Sequence, residues 1–111
     1  MDKYIDIDSG ISRVRGNKTL YARMLNLFLN SPEMAKFDEC ITQNDYEGAS
    51  AAAHAVKGVA GNLSLNPLFE ISNELMLSLR QGTLDAEMLV SYRDILENTI
   101  KSAKAAIEEL K

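Results

Sequence analysis

Apolar residues that recur with a period near 3.6 are the feature that most constrains the fold of this chain. After Asn17, for example, Leu20, Met24, Leu27 and Phe28 fall on one side of a helix, because successive residues are about 100° apart around its axis. The alternation of a half-buried strand and the Asn-Gly or Asp-Gly turn of a hairpin do not occur in the sequence. The sequence therefore predicts an all-α fold.

Residues that cap and break helices mark six helical segments. The helix starts are marked by Ser9, Asn17, Ser31-Pro32, Asn44-Asp45, Asn66-Pro67 and Thr83. Gly16 ends the first, short helix over residues 10–15, Gly82 ends the fifth helix, and Thr83 precedes a long final helix. The later helices carry clear apolar faces: Leu68, Ile71, Leu75 and Leu79, then Leu84, Met88, Tyr92, Ile95, Ile100, Ile107 and Leu110. Because the loops are short, we expect an antiparallel four-helix bundle with one or two short helices at the N-terminus.

Composition and charge restrict the class of protein, its compartment and its partners. The 111 residues are 46% hydrophobic and 25% charged, which is typical of a globular protein, and we expect residues 1–111 to form one domain. No apolar run approaches the roughly 20 residues that cross a bilayer, so no membrane association is expected. Cys40 is the single cysteine, which favours a reducing cytoplasm. The net charge of −4, without a cluster of Lys and Arg, argues against nucleic acid as a partner.

The single histidine, His54, lies in the segment AAAHAVKGVAGNLSL, residues 51–65. A lone histidine on a helix is more often a buried residue with its hydrogen bonds satisfied. Here, however, the apolar residues fall roughly 140° to 240° from His54 around the helix. They are Ala52, Val56, Val59, Ala60 and Leu63. The sequence therefore predicts that the imidazole faces solvent.

Two glycines share this polar face, although each costs a helix about 1 kcal/mol relative to alanine. Gly58 and Gly61 lie within about 40° of His54 around the helix. Glycines that allow tight helix packing would be expected on the apolar side, so we interpret them as an open strip that lets a partner reach the ring. Ser50 and Lys57 border the same face. Lys57, three residues after His54, could partly neutralise a phosphoryl group on the ring.

The motifs that are missing restrict the chemistry of this site. The sequence has no nucleophile elbow, and Cys40 shows no sign of pairing with His54. One histidine and one cysteine are too few for an ordinary metal site, and no phosphate-binding glycine loop for ATP is present. An imidazole is a competent nucleophile. The remaining possibility is a side chain that receives a group from one protein and passes it to another.

The stretch HAVKGVAGNLSLNPL resembles the signature of histidine phosphotransfer (HPt) domains: H-x-hydrophobic-K-G, a run of small residues, and a leucine-rich turn into the next helix. The segment YARMLNLFLNSPEM resembles the helix that precedes the histidine-bearing helix pair, and residues 45–82 follow the family spacing. The resemblance covers nearly the whole chain. It implies a phosphocarrier of two-component phosphorelays, whose histidine accepts a phosphoryl group from an aspartate of one receiver domain and passes it to an aspartate of another.

The resemblance also implies roles for individual residues. His54 would be the phosphoacceptor, Lys57 the charge-balancing neighbour, and Gly58 the residue that leaves room for the receiver. No cofactor is expected on this chain, because Mg²⁺ and the acidic pocket belong to the receiver. Some members carry a glutamine near the phosphohistidine where this sequence has Met76, which leaves polar support from that helix open. Arg80, one turn further, would either contribute charge or be an ordinary solvated arginine.

A receiver should dock on exposed apolar area with a polar rim around His54. Ala51 is a candidate beside the histidine. Leu25 and Leu29 lie roughly 100° to 140° off the main stripe of their helix. They either pack against the N-terminal segment or belong to the docking surface.

Two other interpretations of the sequence stay open. The chain could be a non-catalytic helical adaptor that binds a signalling partner without carrying phosphate, or a metal or haem bundle. As a phosphocarrier, it is expected to be a monomer that binds receiver domains of response regulators or of a hybrid sensor kinase. The sequence leaves open whether it is free-standing or a module of such a kinase.

Overall fold

The structure, a computed structural model, describes residues 2–111, and within them it contains helices and no strand. The helices are α1 (Ile7–Arg13), α2 (Lys18–Leu29), α3 (Pro32–Thr42), α4 (Tyr46–Leu63), α5 (Asn66–Arg80) and α6 (Ala86–Glu109). Neighbours in the chain pack together from α3 to α6. The rings of Phe37 in α3 and Tyr92 in α6 pack against each other, with their centroids 4.9 Å apart. The predicted all-α, four-helix bundle with additional N-terminal helices is confirmed.

Several predicted helix starts are confirmed by the contacts of their capping side chains. Asn17, Ser31 and Asp45 accept hydrogen bonds from backbone N–H groups in the first turns of α2, α3 and α4. After α5, Gly82 has a φ of +79°, a left-handed conformation that glycine adopts readily and that ends a helix.

Three other predicted caps are wrong by a few residues. Asp6, not Ser9, caps α1, and Asp85, not Thr83, caps α6. The Thr83 hydroxyl instead donates a hydrogen bond to the carbonyl of Ser78 at 3.0 Å. Asn66 is the first residue of α5 and not its cap. In the first two cases the carboxylate directly before the first helical residue is the cap, in place of the predicted hydroxyl.

The predicted inner face of α2 is correct for Phe28, which is buried, and for Met24, which is partly buried, but wrong for Leu20 and Leu27. Leu20 is exposed and Leu27 is 68% exposed, whereas the buried residues of α2 are Tyr21, Leu25 and Phe28. The Tyr21 hydroxyl donates a buried hydrogen bond of 2.7 Å to the carbonyl of Leu63 in α4, which fixes the rotation of α2.

Burial raises the pKa of the Tyr21 phenol to about 12, with the Asp6 carboxylate as the smaller cause. The phenol therefore stays protonated and keeps donating the hydrogen bond at neutral pH.

The buried face of α2 removes Leu25 from the candidate docking surface. Leu25 is completely buried, so the prediction that it could contact a receiver is wrong. Leu29 is half-buried and packs against the core. The predicted face of α5 is correct, because Leu68, Ile71, Leu75 and Leu79 are all buried. The predicted residues of α6 lie along its inner side, although most of them are only partly buried.

None of the helices in residues 2–111 is both long enough and apolar enough to cross a membrane. Cys40 is buried and carries a free thiol.

Candidate functional site

His54 lies in the middle of α4 and is exposed, as the helical pattern predicts. The opposite side of α4 is buried against the neighbouring helices through Ala52, Val56, Ala60 and Leu63, and Val59 is partly buried. Burial of this apolar arc fixes the rotation of α4, since turning the helix would expose several aliphatic side chains. The imidazole is therefore held at the surface by residues that it does not contact.

Met76 of α5 contacts the imidazole ring. Its Sδ lies 3.3 Å from His54 Nδ1, and its side chain is only 4% exposed. A thioether sulfur can accept a hydrogen bond but cannot donate one, so this contact is a hydrogen bond only when Nδ1 carries the proton. We infer that tautomer from the contact. It leaves a lone pair on Nε2, which has no hydrogen-bond partner within residues 2–111.

Beside His54, an open depression lies between α4, the start of α5 and the end of α1. Its lining comprises His54, Arg13, Lys57, Gly58, Gly61, Asn62, Asn66 and Phe69. Two of these side chains are cationic and none is a carboxylate. The depression is therefore suited to an anion.

Lys57 is half-buried, and its Nζ lies 5.6 Å from the centroid of the Phe69 ring. A cation over an aromatic face is attracted by the ring. The contact holds the ammonium near α5 while leaving its three N–H donors available to a group on the imidazole.

The two glycines on this face have different surroundings. Gly58 is exposed, and a Cβ built on it would meet no atom within 4 Å. This agrees with the predicted open strip. A Cβ at Gly61 would lie 3.3 Å from two carbons of the Phe69 ring. The interpretation of Gly61 as open backbone is therefore wrong, because the Phe69 ring lies close above it.

Two further residues predicted for docking are buried. Ser50 is only 6% exposed, and its hydroxyl donates a 3.3 Å hydrogen bond to the Met76 carbonyl. The prediction that Met76 belongs to the docking surface is therefore wrong, since its side chain is enclosed between α4 and α5. Ser50 keeps only a small exposed area. Ala51 and Arg80 are exposed, and together with Ser50 they line a second depression near the start of α4.

Sequence reasoning missed four residues of the depression beside His54: Arg13, Asn62, Asn66 and Phe69. The position of Asn62 is predictable from helical geometry, because it lies about 80° from His54 around α4. The other three come from α1 and α5, and the local pattern of α4 carries no information about them.

The family model for the Hpt domain matches residues 22–110. The chain therefore belongs to the Hpt domain family, the histidine phosphotransfer domains that act as phosphocarriers with receiver domains in phosphorelays. The match begins within α2, so α1 lies outside it. No curated protein and no solved structure matches the chain.

Proposed function

We propose that His54 accepts a phosphoryl group on Nε2 from a receiver-domain aspartate and passes it to an aspartate of another receiver. The observation that carries this proposal is the contact between His54 Nδ1 and Met76 Sδ, 3.3 Å long, on an otherwise exposed ring. With the proton on Nδ1, the Nε2 lone pair is free to act as a nucleophile.

The transfer balances without a further reactant. The Nε2 lone pair attacks phosphorus, the bond between phosphorus and the aspartyl oxygen breaks, and the aspartate leaves as a carboxylate. The Nδ1 proton stays on the ring, so the phosphorylated imidazole carries a positive charge beside the phosphoryl group. This charge makes the imidazole a good leaving group when a second receiver aspartate attacks the same phosphorus.

Lys57 and Gly58 support the transfer in different ways. The Lys57 ammonium offsets part of the negative charge of the phosphoryl group. Gly58 adds no side chain next to the ring, so the receiver's aspartate can approach in line with the bond that forms. Mg²⁺ is expected on the receiver and not on this chain. We further propose that the chain is a monomer and works in a reducing compartment such as the cytoplasm, where the Cys40 thiol stays free.

The test begins with phosphoramidate, a small phosphoryl donor that needs no protein partner. Nε2 attacks its phosphorus, the phosphorus–nitrogen bond breaks, and ammonia leaves. Because His54 is the only histidine, an acid-labile label reports on this residue. The labelled chain is then mixed with purified receiver domains from the same genome.

We expect labelling and onward transfer for the native chain and neither for His54→Gln. The free energy of unfolding should change by less than about 0.5 kcal/mol, the usual range for surface substitutions. A labelled His54→Gln variant would refute the assignment of the acceptor. Receiver binding by a native chain that takes no label would favour the adaptor interpretation.

A further inference from the structure

Arg13 is a cation beside His54 that belongs neither to the sequence motif nor to the region matched by the family model. It lies in the last turn of α1, before the first matched residue, and it lines the same depression as His54 and Lys57. The ion pairs found in residues 2–111 are made by Arg93, Lys101 and Lys111, so the Arg13 guanidinium has no carboxylate partner there. We propose that Arg13 is a second cation that binds the phosphoryl group on His54.

The position of α1 relative to α4 is fixed by bonds at the end of α4. The backbone N–H of Asp6 donates to the Ser64 carbonyl at 3.0 Å. The hydroxyls of Ser9 and Ser64 form a second bond of 3.0 Å. These contacts join the first turn of α1 to the residue that follows α4.

A close contact with α2 completes the attachment of α1. Gly10 packs against the Tyr21 ring so closely that any added Cβ would overlap the ring. Tyr21 is itself bonded to the Leu63 carbonyl in α4. Arg13 is therefore carried by a helix that is attached to the histidine-bearing helix both directly and through α2.

The chemistry of the depression favours a phosphoryl group. A phosphoryl group carries up to two negative charges, and Lys57 supplies one positive charge. The Arg13 guanidinium adds a second positive charge and is always protonated. Two of its N–H groups can donate to two oxygens of one phosphoryl group at once. Asn62 and Asn66 add amide groups that can donate to the same oxygens. The Arg13 side chain is exposed and unpaired, so no existing ion pair has to break before it binds.

This inference rests on the proposed function, and the experiment separates the two. The native chain, Arg13→Gln, Arg13→Lys and the control Arg23→Gln are labelled with phosphoramidate at low and high salt. Arg23 is exposed on α2 and does not line the depression, so it matches Arg13 in charge but not in place. The half-life of the phosphohistidine and the melting temperature are measured on the same samples.

For Arg13→Gln at low salt we expect the rate of labelling to fall by about tenfold, which corresponds to the loss of one charge-assisted hydrogen bond in the transition state. The difference should narrow at high salt because the site is exposed. Arg13→Lys should recover part of the rate, since it restores the charge but not the fork. The melting temperature should not change in any variant.

Each other outcome is decisive. A native chain that takes no label overturns both the proposed function and this inference. If the native chain is labelled and Arg13→Gln reacts at the rate of Arg23→Gln, the inference alone is overturned. It is also overturned if Arg13→Gln is slower by the same factor at all salt concentrations and Arg13→Lys gives no recovery.

Discussion

Replacing Gly58 with leucine should separate the stability of the domain from its function. Gly58 lies inside α4, it is exposed, and a Cβ there meets no atom within 4 Å. A side chain at this position can therefore be added without displacing any neighbour. The same side chain stands about 40° from His54 around the helix, on the face from which we expect the receiver to approach.

The expected gain in stability follows from helix propensity. Glycine is about 0.8–1.0 kcal/mol worse than alanine inside a helix, and leucine is close to alanine. Unfolding entropy is about 2.1 cal/mol/K per residue, which for 111 residues is about 0.23 kcal/mol/K. A gain of about 0.8 kcal/mol divided by this entropy raises the melting temperature by roughly 3–4 °C. Gly58→Ala should show a similar rise, since its Cβ also meets open space.

The functional effect should differ sharply between the two variants. In-line transfer needs close alignment, and small misplacements can slow a reaction by about a hundredfold. We expect a loss of this order for transfer between Gly58→Leu and a receiver, and a much smaller loss for Gly58→Ala. Labelling by phosphoramidate should suffer far less than receiver transfer, because a small donor needs less room.

Thermal melts and a time course of radiolabel transfer on the three chains provide the measurement. A lower melting temperature for Gly58→Ala would mean that the glycine serves packing, contrary to the open space around it. Transfer by Gly58→Leu at the native rate would mean that the receiver does not approach over this part of α4.

Two further substitutions test Met76, which contacts the ring, and Lys57, which we propose balances the charge of a phosphoryl group on it. Lys57→Ala should slow transfer without abolishing it, and the effect should shrink with added salt, since the lysine balances charge and forms no covalent bond; a native rate at low salt would show that the ammonium takes no part. Met76→Leu nearly conserves volume, so it should destabilise the fold by less than about 1.5 kcal/mol. It removes the acceptor for Nδ1–H and should slow labelling severalfold, whereas Met76→Gln restores an acceptor and should recover the rate. ¹⁵N NMR of the ring would follow the tautomer, and an unchanged tautomer in Met76→Leu would contradict the role of the sulfur.

The direction of His54 could be predicted from the sequence because the rotation of α4 is determined locally. Its apolar residues form one arc, and no second arc competes with it. In α2, by contrast, the predicted stripe of Leu20, Met24, Leu27 and Phe28 overlaps a second stripe of Tyr21, Leu25 and Phe28, which is offset by about one residue. The hydrogen bond from Tyr21 to α4 belongs to the buried stripe, and such a tertiary contact cannot be seen in the local pattern.

The depression was only half predictable for a similar reason. Lys57 and Gly58 are on the same helix as the histidine, so their positions follow from helical geometry. Arg13 and Phe69 reach the site through the packing of α1 and α5 on α4, and nothing in their local sequence distinguishes them from ordinary surface residues. The sequence predicts Lys57 as a charge-balancing neighbour of the ring, and its contact with Phe69 depends on how α5 packs on α4.

Ser50 connects the packing of the bundle to the chemistry of the ring. It lies one turn before His54 on α4, and its hydroxyl holds the Met76 carbonyl while the sulfur of the same methionine contacts Nδ1. Met76 thus contacts α4 at two points, through its carbonyl and through its sulfur. The orientation of His54 is therefore set from the buried side, by the spacing of two helices. The opposite side, from which we expect the receiver to approach, needs no positioning group, and Gly58 leaves it open.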